Sequence, residues 1–293
     1  MIRRLFALFA SLTCVASAEN LGALTEVSYE RLSEKATTAL SQRALAVRAA
    51  DWKHAETEHF IYHFFDRPTA SAVSVEAEFY YRVIAKELEK DTARWERKCH
   101  VFVFHEETDW KQFQQGGGLD PWTGGLHSEG TLFFLRNPGW RANNATLPHE
   151  ITHLVLHRFF GSGIPLWMHE GFAEYAATRC RAAFYRARGF DAKPRGSVVP
   201  ADAFVPLSEF TELAAYPQQQ EAIIAFYAQS EKLVRFLSNA DKAAFGQLMQ
   251  LLSTGARFDR ALGQTFGRQY PNLAALEQAF KPYASSPLAP GAN

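Results

Sequence analysis

Two histidines four residues apart, His149 and His153 in HEITH (149–153), precede a Gly161-Ser162-Gly163 break and then PLWMHEGFAEY (165–175). This arrangement limits the fold sharply. At 3.6 residues per turn, His149 and His153 project from one face of a helix. The glycines end that helix and Pro165 starts another, so the second helix is expected to fold back against the first. The spacing predicts helices from near Thr146, read as a cap, to Gly161, and from Leu166 to about Arg186.

Imidazole and carboxylate are ligands of zinc, and three protein ligands leave one position open for water. His149 and His153 supply two. Glu170 is the best third, because it lies early in the returning helix with 16 residues between it and His153. Glu150 neighbours the histidines but points off the metal, where a general base for an activated water belongs. Glu174, one turn beyond Glu170, is placed to accept a hydrogen bond from a liganding histidine, His149 before the other. His157 lies too far along the helix to share one ion with His149, and His169 is read as pointing elsewhere. His127 and Glu129 are placed in a loop before a strand.

The N-terminus reads as a secretory signal over residues 1–18. Arg3 and Arg4 precede an apolar stretch from Leu5 to Val15, then Ala16-Ser17-Ala18. The stretch is too short to span a bilayer comfortably, so an exported protein, periplasmic or extracellular, with no membrane anchor after cleavage, is expected. Removing two arginines from 31 basic residues against 31 acidic ones leaves a formal charge of −2, which gives no support for nucleic-acid binding. Cys99 and Cys180 would remain, either as a disulfide or as two buried thiols.

Along the chain, 26–50 reads as an amphipathic helix within an N-terminal helical segment, 19–54. His59 to Phe65, Val101 to Phe104 and Thr131 to Leu135 read as strands, and 70–97 and 109–114 as helical. Later helices are expected over 221–239, 241–253 and 273–283, followed by a disordered tail, 284–293. Strands early and helices late make an α+β arrangement.

HEITH followed by PLWMHEGFAEY resembles the gluzincin metallopeptidases, the class of thermolysin and the zinc aminopeptidases. It is more similar still to peptidase-MA-like domains of exported bacterial proteins. HFIYHFF, HVFVF, TGGLHSEGTLFF and FYAQSEKLVRFL extend the resemblance over about 55–283. It implies a zincin-like fold: a twisted mixed sheet over the HExxH helix, then a helical C-terminal part. It implies one Zn2+ ion, a peptide or protein substrate, and Thr131–Leu135 as the edge strand that pairs with it. It also makes Tyr227 the candidate donor to an oxyanion, with a packed aromatic as the plain alternative, and sets Ser230 at the border of the site. Two other functions stay open: a non-catalytic zinc or peptide-binding module, and an amidase acting on cell-wall peptides.

Overall fold

Aromatic and β-branched runs form the middle of a six-stranded sheet, and short polar strands form its margins. The structure, a computed structural model, describes residues 22–91, 97–121, 123–136, 145–193 and 196–287. The expected signal segment and residues 288–293 lie outside them. The strands are β1 (Thr25–Val27), β2 (Lys53–Glu56), β3 (Phe60–Phe64), β4 (Cys99–Phe104), β5 (Gly125–Ser128) and β6 (Thr131–Leu135), in the order β1-β2-β3-β4-β6-β5. The pairs β3–β4 and β4–β6 are parallel and the rest antiparallel.

Parallel neighbours need long crossovers. Helix α2 (Arg67–Glu87) joins β3 to β4, and α3 (Glu107–Gly117) leads from β4 toward the β5–β6 hairpin. Both faces of the sheet are covered, which is why its central strands are continuously apolar rather than alternating. On one face Phe60, Tyr62, Val101, Val103, Leu132 and Phe134 pack against α2, α4 (Thr146–Phe160) and α5 (Leu166–Arg186). On the other, Phe102, Phe104 and Phe133 meet Ala44 of α1 (Ala39–Ala46) and Trp110 and Phe113 of α3.

Three expectations need correction. Residues 26–50 are not one helix: they hold β1, a 3-10 turn at Tyr29–Arg31 and the short α1. β1 pairs with β2, so sheet pairing overrides the helical periodicity there. Helix α1 begins at the Thr38 cap, whose side chain accepts from Ser41 N–H, and Arg48 at φ 46° follows its end. Secondly, Thr131–Leu135 is not the edge strand, because β5 pairs outside it across a two-residue turn. Glu129 (φ 49°) and Gly130 (φ 73°) make that turn, the left-handed pair that suits the twist of a hairpin. Thirdly, the tail begins in packed structure: Ala284 is fully buried, and the Ser286 carbonyl accepts from Lys232 Nζ at 2.7 Å. Cys99 and Cys180 are both buried and free, so the thiol alternative holds and the disulfide does not.

The later chain is helical: α6 (Leu207–Phe210), α7 (Gln220–Ala240), α8 (Lys242–Ser253), α9 (Phe258–Thr265) and α10 (Leu273–Ala284). Polar residues inside FYAQSEKLVRFL serve packing. Gln229 exchanges two hydrogen bonds with the Val205 backbone, at 2.9 and 2.7 Å, and Glu231 and Arg235 form a buried ion pair.

On the sheet face opposite α4, three buried imidazoles form a row. His54 Nδ1 lies 2.8 Å from His63 Nδ1, and His63 Nε2 lies 2.9 Å from His100 Nδ1. Burial lowers all three, His63 well below the usual range and His100 to about 4. Glu30 and Lys35 face His54; Glu34, Arg97 and Glu56 face His100. Unfolding restores ordinary histidine pKa values near 6.5, so between about 6.5 and 4 the unfolded chain binds more protons. Stability from this row is therefore complete above pH 6.5 and lost as pH falls, by about 3 kcal/mol for His100 alone. Urea midpoints at pH 7 and 4.5 should differ accordingly, and His63→Phe, which keeps the stack on Phe102, should shrink the difference.

Candidate metal centre

Helix α4 lays Leu147, Ile151, Leu154 and Val155 against the sheet, which turns His149 and His153 toward α5. The helix starts at Thr146 itself, after Ala145, so Thr146 lies in its first turn and does not cap it. Gly161 ends it, and α5 opens after Pro165. Gly163 fits tightly here, since a Cβ there would strike the Ser253 backbone at the end of α8. Gly171 of HEGFAEY plays the matching part on α5: a Cβ would run into the Ser230 carbonyl of α7. Ser230 is wholly buried at that contact.

The returning helix brings Glu170 to the two histidines. His149 Nε2 and His153 Nε2 are 2.9 Å apart, and Glu170 Oε2 is 3.4 Å from each. Glu170 is 3% exposed, and its Oε2 has no hydrogen-bond partner in the protein. A buried carboxylate oxygen without a partner is costly unless a cation completes it. Donors bound at ~2.0–2.1 Å to one tetrahedral ion lie ~3.3 Å apart, close to the three separations here.

Glu174 Oε1 lies 2.9 Å from His149 Nδ1, as expected of a supporting carboxylate. Donation from Nδ1–H leaves the Nε2 lone pair facing the other ligands. Burial disfavours a charged His149, but Glu170 and Glu174 outweigh it and hold its pKa well above the ordinary value. His153, buried and beside His149, is lowered to about 4. Burial alone would raise Glu170, yet His149, His153 and His169 keep it far below the usual carboxylate range. Glu174→Ala should weaken metal binding about 10–100-fold without abolishing it, measured by chelator competition.

Glu150 is buried beside His149, His153 and Glu170 and is pushed up to about 7, chiefly by burial, with the His149 charge pulling the other way. His127 belongs to β5, at the open edge of the sheet. His127 is thus a strand residue, with its ring centroid 5.7 Å from that of the exposed His157.

Two residues stand closer to the centre than their sequence context indicates. His169 stacks on His153, ring centroids 4.2 Å apart and 9° from parallel. Tyr216, which no spacing singles out, donates its hydroxyl to Glu170 Oε1 at 2.6 Å. Tyr227 comes into the same group: its ring centroid is 6.3 Å from that of His149 and 6.2 Å from that of Tyr216, stacked at 24°. Burial and the Glu170 charge hold both phenols above their ordinary pKa, so both remain protonated donors.

Among the described residues, two clusters could hold a metal ion: His149, His153 and Glu170, and Glu58, His59 and Glu78. The second is already satisfied. Glu78 accepts from Thr57 Oγ1 at 2.7 Å and His59 N–H at 3.0 Å and meets His59 Nδ1 at 2.7 Å, while exposed Glu58 pairs with Arg82 at 2.6 Å. Among the described residues no helix is long and apolar enough to cross a membrane. No family model matches the chain, and no curated protein matches it in sequence.

Proposed function

We propose that this chain is an exported zinc-dependent peptidase of the gluzincin kind, with a zincin-like fold, and with His149, His153 and Glu170 holding one Zn2+. The observation that carries the reading is the convergence of two imidazole nitrogens, each 3.4 Å away, on one buried carboxylate oxygen. Neutral imidazole and carboxylate suit zinc, and three such ligands leave a place for water.

Bound zinc supplies Lewis acidity, polarising a carbonyl and lowering the pKa of water toward neutrality. Glu150 takes the proton from the attacking water and returns it to the departing amine. Tyr227 donates to the oxygen on which negative charge develops. The edge strand β5 aligns an extended peptide by main-chain hydrogen bonds. A zinc or peptide-binding module would have no use for a buried carboxylate at this position, which favours hydrolysis. The test is cleavage of a mixed-peptide library by the mature protein, followed by mass spectrometry. Cleavage that stops on chelation and returns with zinc is the expected result; bound zinc with every peptide intact would favour the binding module, and cleavage confined to cell-wall cross-links the amidase.

A further inference from the structure

The two oxygens of Glu170 live in different surroundings. Oε1 accepts a 2.6 Å hydrogen bond from Tyr216, while Oε2 faces the two imidazoles at 3.4 Å with no partner. His169 does not duplicate this bond, because its Nδ1 stays 3.8 Å from Oε1 and its ring is committed to the stack on His153. Tyr216 reaches Glu170 from the segment between α6 and α7, and its ring is held there by Phe226, edge-on at 6.0 Å, and by the stack on Tyr227. Tyr216 is 38% exposed, yet its hydroxyl points inward to the ligand.

We propose that Tyr216 is a positioning residue for the metal: by holding Oε1 it makes Glu170 a one-oxygen ligand and keeps one coordination position open for water. A carboxylate released from that bond can turn and offer both oxygens, filling the position that hydrolysis needs. The inference rests on the zinc reading of the site, and it adds a residue from a separate part of the chain to those that support the ligands.

Tyr216→Phe tests it, because the ring and its stacks remain and only the hydroxyl goes. Two readouts apply besides activity: zinc affinity by competition with a chromogenic chelator, and the visible spectrum of the Co2+-substituted protein. The variant is expected to bind zinc about 10–100-fold more weakly. Its Co2+ bands are expected to shift, as a second carboxylate oxygen takes the place of water. Tyr216→Leu, which removes the hydroxyl with a different shape, should repeat the change in affinity, and apo-protein melting reports whether either variant folds. If wild type binds zinc tightly and folded Tyr216→Phe matches it in both affinity and Co2+ spectrum, the positioning role is wrong and the zinc reading survives. A wild type that takes up neither Zn2+ nor Co2+ overturns both.

Discussion

Glu150→Gln is expected to lower kcat/KM for peptide cleavage by about 10²–10⁴-fold, the usual contribution of a general acid–base group. Zinc content should stay at the wild-type level. The separation follows from geometry: the atoms that could hold a metal ion together are those of His149, His153 and Glu170, while Glu150 is buried and outside that cluster. Glutamine keeps the size but cannot carry a proton from water to amine. Loss of zinc in this variant would mean that Glu150 is a ligand or a structural support. Undiminished cleavage would remove it from the mechanism.

Glu170→Ala should have the opposite signature. Zinc binding by small protein sites amounts to ~10–16 kcal/mol, so one of three ligands carries roughly 3–5 kcal/mol, on the order of 10³-fold in affinity. Activity should be lost because the metal is lost, and excess zinc should restore part of it. Removing the carboxylate also releases Tyr216 from its 2.6 Å bond and takes away the charge that holds His149 protonated without metal. Melting temperature of the metal-free variant should therefore fall, since His149, His153 and Tyr216 all lose the buried carboxylate they share. Isothermal titration with zinc, read beside the metal-free melting curve, checks both parts.

Much of the centre is legible in the sequence because helical geometry alone fixes it. His149, His153, Glu170 and Glu174 sit on two consecutive helices whose ends are marked by Gly161 and Pro165, so their faces follow from residue spacing. Tyr216 is a different case. It lies 46 residues beyond Glu170, in a segment without regular structure, and only the packing of α7 on α5 returns it to the site. His169 was hidden for a related reason: next to Glu170 in sequence, it reaches His153 across the helix pair. The strands divide in the same way. FIYHF, CHVFVF and TLFFL are apolar runs buried on both faces, whereas TEV, KHAE and GLHS are short marginal strands with little apolar signal. The resemblance implies TLFFL as the edge, but GLHS pairs outside it, and the Glu129-Gly130 pair before TLFFL is itself a hairpin signal.

The most direct test of the central claim is the metal content of the mature protein, purified without chelators and measured by plasma mass spectrometry. The account predicts close to one zinc per chain in wild type and in Glu150→Gln, and almost none in Glu170→Ala. Wild type without bound metal, and unable to take up zinc when it is supplied, would contradict it.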